Sequence, residues 1–76
     1  MNYQTVYDFL SDKKQSGELA IWFSIGLLPT HITQWLDIYD YHCENPELSQ
    51  LKVAHKLHAS RKTIWRAYKF MEQALN

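Results

Sequence analysis

The stretch "VAHKLHASRKTIWRAYKFM", residues 53–71, decides the fold of this chain. Two segments with a helical spacing of apolar residues flank the short sequence "HAS" at 58–60. The first segment has an apolar face made of Leu51, Ala54 and Leu57, with Val53 beside it. The second has one made of Ile64, Ala67, Tyr68 and Met71, at offsets 0, 3, 4 and 7. Because these offsets mark one buried face of a helix, we predict helices over 47–58 and 60–75, packed across a tight turn.

The opposite face of the second predicted helix is basic. It consists of Arg61, Lys62, Trp65, Arg66 and Lys69, which include four of the chain's eight Lys and Arg residues. Arg61 and Lys62 fall in the first turn, where the helix dipole disfavours cations unless an anion lies outside. Ser60 is the predicted N-cap, and the free N–H groups of such a terminus also bind phosphate. Two helices joined in this way form a helix-turn-helix, whose second helix enters the DNA major groove.

Charge is divided unevenly along the chain, although its formal net charge is zero. Residues 1–47 carry two Lys and seven Asp or Glu, a net charge of −5. Residues 48–76 carry six Lys or Arg and one Glu, a net charge of +5. Such asymmetry suggests a polyanionic partner for the basic part. The alternative is that the two parts simply attract each other.

The first 46 residues predict three more helices, and strand signals are absent. The predicted ranges are Tyr3–Lys14, Glu18 to about Leu27, and His31–Cys43 with Thr30 as N-cap. The second of these is apolar nearly all round, which predicts burial on more than one side, with another subunit on the second side. We therefore predict an all-α bundle of five helices in a single domain over 1–76. Residues 1–46 would supply the core and a possible dimerisation part, and 47–76 the helix-turn-helix.

Residues 50–69, "QLKVAHKLHASRKTIWRAYK", resemble the bacterial helix-turn-helix signature of repressors and of resolvase/invertase DNA-binding domains. The matching positions are Gln50, Ala54, His58 and Ile64, and the match covers about 20 of the 76 residues. The chain departs from the pattern at the turn, where the family usually has glycine and this chain has His58. Histidine tolerates a positive φ better than most side chains, so a strained turn is expected there.

The resemblance implies sequence-specific binding of double-stranded DNA by a small transcriptional or mobile-element regulator of bacterial or phage type. Base edges would be contacted by Arg61, Lys62 and Arg66, since arginine pairs with guanine through two hydrogen bonds. The DNA backbone would be contacted by Ser60, Thr63, Lys69 and Gln50. Trp65 would contact a thymine methyl group or a sugar, or else cover a neighbouring helix or a dimer contact. A homodimer is expected, because one such helix buries little surface on its own.

Other kinds of site are disfavoured. Zinc fingers need paired cysteines, and this chain has one Cys and four His, so no metal or other cofactor is predicted. Cys43 ends an apolar stripe and is expected to be a buried, inert thiol. Phosphate-binding glycine loops are absent, and we predict neither enzymatic activity nor a small-molecule substrate. The longest uncharged apolar run, Leu19–Leu28, is ten residues and too short to span a bilayer. We expect a cytoplasmic protein with no membrane partner, since no secretory signal pattern is visible.

A helical protein–protein interaction module is the alternative function. In that case the apolar helix over 19–28 would dock a partner, and the basic face would meet an acidic protein. The salt dependence of binding separates the two hypotheses. A DNA-binding protein loses affinity steeply as salt rises and keeps a preference for particular duplexes.

Overall fold

The computed structural model describes residues 3–75 and consists of five helices joined by short turns. The helices are α1 (Val6–Ser16), α2 (Glu18–Ser24), α3 (Thr30–Glu44), α4 (Gln50–Leu57) and α5 (Arg61–Met71). The described residues contain no strand, only an isolated antiparallel bridge between Thr5 and Ala74. The predicted all-α bundle is confirmed.

The start of α1 differs from the prediction because a capping box sets it. The Asp8 backbone N–H donates to the Thr5 hydroxyl at 3.2 Å, and the Thr5 N–H donates to the Asp8 carboxylate at 3.2 Å. This reciprocal pair satisfies two N–H groups that a helix leaves free at its beginning. The helix therefore begins at Val6, three residues after the predicted Tyr3.

The connection between α2 and α3 also corrects two predictions. The second helix ends at Ser24 and not near Leu27, and Gly26 then takes a positive φ of 81°. Thr30 is not an N-cap but the first residue of α3, because Pro29 with a ψ of 145° occupies the cap position. Proline suits the edge of a helix, since its ring fixes φ and it has no N–H to satisfy.

Two clusters of buried side chains hold the bundle together. The C-terminal cluster joins α3, α4 and α5 and contains Ile38, Val53, Ala54, Ile64, Ala67 and Tyr68. The N-terminal cluster contains Leu10, Leu19, Ile32, Leu36 and Met71. Met71 belongs to α5, while its cluster partners come from α1, α2 and α3. Trp35 and Tyr39 pack against both clusters, so the core of the described residues is continuous.

The predicted inner face of α5 is confirmed, and that of α4 is partly wrong. The four apolar positions of α5 (Ile64, Ala67, Tyr68 and Met71) are all buried. In α4, Val53 and Ala54 are buried and Leu57 is half-buried, but Leu51 is 44% exposed. Each helical residue turns by about 100°, which carries Leu51 away from the face that meets α5.

Cys43 is exposed, so its prediction as a buried thiol is wrong. It lies in the last turn of α3, where Tyr41 and His42, and not Cys43, pack against the C-terminal cluster and Tyr68. The buried residues of α3 are Ile32, Leu36 and Ile38, all earlier in the helix.

Polar side chains tie α1 and α5 to the central helix α3. The Tyr7 hydroxyl donates to the Asp40 carboxylate at 2.6 Å, and the Lys14 ammonium lies 2.9 Å from the same carboxylate. Burial, followed by this hydrogen bond, raises the pKa of Tyr7 well above its ordinary value. The Tyr39 hydroxyl donates to Glu72 at 2.9 Å. These bonds fix the helix that carries the basic residues relative to the rest of the bundle.

Two tyrosines allow a matched test of these contacts. The Tyr68 hydroxyl is buried and has no hydrogen-bond partner among residues 3–75, and burial raises its pKa. Tyr68→Phe should therefore raise the free energy of unfolding by about 1 kcal/mol, because it removes an unsatisfied polar group. Tyr7→Phe should lower it by about 1.5 kcal/mol, because it breaks a bond to a charged group. Urea denaturation followed by circular dichroism measures both, and changes of equal sign would contradict this account.

Candidate nucleic-acid interface

The turn between α4 and α5 has the closed geometry of a helix end in the left-handed region. His58 has φ 55° and ψ 40°. The Ala59 N–H donates to the Ala54 carbonyl at 3.0 Å, and the His58 N–H to the His55 carbonyl at 3.4 Å. These two bonds form a Schellman motif, which usually has glycine at the left-handed position. The strained turn predicted at His58 is confirmed, and it sets the direction in which α5 leaves α4.

Substitution of His58 should change stability according to the cost of a positive φ. A side chain in this region costs about 1–2 kcal/mol, and glycine avoids that cost but loses more freedom on folding. We expect His58→Gly to raise the free energy of unfolding by about 0.5 kcal/mol, and the β-branched His58→Val to lower it by about 1 kcal/mol or more. Thermal and urea denaturation measure the pair. Equal stability of the two variants would contradict a strained turn.

The beginning of α5 is capped as predicted. The Ser60 hydroxyl accepts from the Thr63 N–H at 3.1 Å and donates to the Thr63 hydroxyl oxygen at 2.9 Å. The proton of Ser60 is therefore used inside the protein. The Thr63 hydroxyl keeps its own proton free to donate outward. Of the two hydroxyl groups predicted to contact the DNA backbone, Ser60 and Thr63, that of Thr63 is therefore the better donor.

The predicted basic face lies on the solvent side of α5. We define the basic face as Arg61, Lys62, Trp65, Arg66 and Lys69, all of which are exposed. At about 100° per residue, these five side chains span about 140° of the helix surface, and the buried side chains of α5 lie on the other side. From Arg61 to Lys69 the face runs about 12 Å along the helix axis. The B-DNA major groove is about 12 Å wide and admits a helix, which is about 10–12 Å across with its side chains.

The beginning of α4 lies beside the basic face. Gln50, the first residue of α4, lines an open cavity of about 400 Å³ together with Arg61, Lys62 and Trp65. The first turns of both helices therefore border one concave surface, and all four lining residues belong to the site predicted from sequence. A concavity with two cations, an amide and an indole can hold an anionic group beside an apolar one.

Trp65 is 52% exposed and packs against neither buried cluster. The Lys69 ammonium lies 5.6 Å from the centre of its ring, which is a cation–π contact. Cover by a neighbouring helix of the same chain, one of the alternatives for Trp65, is therefore not observed. The indole is available to a partner.

The ion pairs of residues 3–75 all lie among α1, α2 and α3. They join Lys13 to Glu18 at 3.4 Å, and Lys14 to Asp37 at 3.7 Å and to Asp40 at 2.9 Å. In this part of the chain, no cation of the basic face is paired with a carboxylate. The alternative that the acidic and basic parts neutralise each other through ion pairs finds no support in these contacts.

Residues 3–75 contain no group of three or more His, Cys, Asp or Glu side chains that could hold a metal ion. None of the helices in this range is long and apolar enough to cross a bilayer. Comparison of the chain with models of protein families, with curated proteins and with solved structures gives no match.

Proposed function

We propose that this chain binds double-stranded DNA in a sequence-specific manner, with α4 and α5 as a helix-turn-helix and α5 in the major groove. The protein would act as a small transcriptional or mobile-element regulator of bacterial or phage type in the cytoplasm, as a pair of copies and without catalysis. The base-edge contacts are assigned to Arg61, Lys62 and Arg66. The DNA backbone contacts are assigned to Gln50, Thr63 and Lys69, with Ser60 mainly a cap.

One observation carries this proposal, namely the unpaired cations at the beginning of α5. Arg61 and Lys62 lie in the first turn, and no carboxylate of the described residues offsets their charge. The helix dipole is positive at this end, so the cations and the dipole act in the same direction. Such a face binds anions favourably, and a helix about 10–12 Å across fits the width of a major groove flanked by phosphates. A duplex supplies both the phosphates and the base edges that arginine recognises.

Trp65 has a defined role in this proposal. The indole lies 5.6 Å from the Lys69 ammonium on the basic face and borders the cavity shared with Gln50. It would pack against a thymine methyl group or a deoxyribose, as apolar side chains in the major groove do. Its fluorescence should then change when duplex is added, and Trp65→Phe should lose that change, because Trp22 and Trp35 pack in the N-terminal cluster.

The experiment is an anisotropy titration of labelled duplexes, both random and genomic, at two salt concentrations. We expect binding that weakens steeply as salt rises and that favours some duplexes over others. Absence of duplex binding at low salt would overturn the proposal. Binding of acidic peptides with no preference among duplexes would favour the protein–protein interaction module instead.

A further inference from the structure

The second helix and the turn after it expose a run of large apolar side chains. We define the α2 patch as Ile21 (59% exposed), Phe23 (43%), Ile25 (63%) and Leu27 (70%). Only Leu19 of α2 is buried, against α1 and α3. At about 100° per residue, Ile21 and Ile25 lie at one edge of the exposed side of α2, and Phe23 lies at the other edge, beside the buried Leu19. Several large apolar side chains exposed on so short a segment mark an interaction site on a small protein. The α2 patch is also the second apolar side of α2, and no other part of residues 3–75 packs against it.

An apolar cavity opens beside the α2 patch, where α1, α2 and α3 meet. Its volume is about 180 Å³, and its lining includes Leu19, Ala20, Phe23 and Leu36. Apolar cavities of about 150 Å³ accept a benzene-sized group, so this one admits an aliphatic side chain. The surface thus has both projecting side chains and a recess for one. A twofold interface needs this self-complementarity, because the same patch is used on both partners.

The charges around the patch also favour a second copy as the occupant. Lys14 and Asp37 border the cavity, and the Lys13–Glu18 ion pair joins the end of α1 to the beginning of α2. These charges are already paired within the chain, Lys13 with Glu18 and Lys14 with Asp37, so the border of the apolar centre offers little net charge to a strongly acidic or strongly basic partner. A second copy related by a twofold axis can place each sign opposite its complement.

We propose that two copies of this chain associate through the α2 patch, each placing an aliphatic side chain of the patch in the cavity of the other. The patch lies on the helix that packs on α1, whereas the basic face lies on α5 beside α4. Association would therefore leave both basic faces free. The association itself does not depend on the proposed function. Only the binding of the dimer to two DNA half-sites rests on it, and such half-sites are about 34–36 Å apart.

The test is sedimentation equilibrium of the full chain over a wide range of concentrations. We expect a mass of twice the 9.1 kDa of one chain. Ile21→Glu, which charges the projecting surface, and Ala20→Phe, which fills the cavity, should each raise the dimer dissociation constant at least about tenfold. Leu75→Glu is the matched control, because Leu75 is also apolar and exposed but lies outside the patch, and it should leave the constant unchanged.

Circular dichroism verifies that each variant is folded. Ile21→Glu changes the projecting side of the contact and Ala20→Phe changes the cavity, so either folded variant alone can test the dimer interface. A wild-type chain that stays monomeric, or folded variants that dimerise as well as the wild type, would overturn the proposal. A dimer that binds no duplex would instead overturn the proposed function and leave this interface standing. A monomer that binds duplex would overturn this interface and leave the proposed DNA binding standing.

Discussion

The double variant Lys62→Ala/Arg66→Ala should bind its preferred duplex about 100-fold more weakly than the wild type. Each base-edge contact contributes about 1–3 kcal/mol, and about 1.4 kcal/mol corresponds to a factor of ten. The preference for this duplex over a random one, at any salt concentration, should also decrease, because base-edge contacts carry the sequence preference. Both side chains are exposed and unpaired, so the fold should be unchanged. Anisotropy titrations at several salt concentrations measure both quantities.

The matched control is Lys52→Ala/Lys56→Ala, which removes the same charge from exposed positions of α4. Neither lysine borders the cavity shared by Gln50 and the basic face. An equal decrease of affinity in the two double variants would mean that overall charge, and not the basic face, governs binding. An unchanged affinity of the folded Lys62→Ala/Arg66→Ala variant would mean that the basic face binds nothing.

Ile64→Ala should cause one of the largest decreases of stability that a single substitution can cause here, about 2–5 kcal/mol in the free energy of unfolding. Ile64 is completely buried at the centre of the C-terminal cluster, and its truncation leaves a cavity between α4 and α5. Small domains have about 0.05–0.15 kcal/mol of stability per residue. For 76 residues this is about 4–11 kcal/mol, so the variant should lose a large part of its stability. Urea denaturation, followed by circular dichroism, measures the decrease.

Leu51→Ala removes a similar amount of apolar side chain from the neighbouring helix, where Leu51 is 44% exposed. It should cost less than about 1 kcal/mol, because much of its side chain is already in water. Comparable costs at Leu51 and Ile64 would mean that the C-terminal cluster is not the core of the α4–α5 pair.

The inner face of α5 could be predicted because its periodicity is unambiguous. Ile64, Ala67, Tyr68 and Met71 alternate with cations, so only one side of the helix can be buried without cost. The cap at Ser60 and the positive φ at His58 follow from local chemistry, and both were predictable for that reason. The exposure of Leu51 was not predictable, because the width of a buried helix face depends on how closely the neighbouring helix approaches.

The first 46 residues were less predictable. An all-apolar α2 indicates burial on several sides, but which neighbour covers each side depends on contacts distant in sequence. The cavity beside the α2 patch is lined by residues of three helices, so no local sequence pattern indicates it. The beginnings of α1 and α3 differ from the predicted ones because a capping box at Thr5 and a proline at position 29 decide them.

Met71 has a consequence for how the protein is made. The side chain is fully buried in the N-terminal cluster, although it belongs to the last turn of α5. Ribosomes add about 5–20 residues per second, so α1, α2 and α3 are synthesised before the residue that completes their core. A nascent chain that stops before residue 71 should therefore be degraded by proteases and not persist as a smaller stable domain. We expect folding to be a single cooperative step that requires α5 as well as the first three helices.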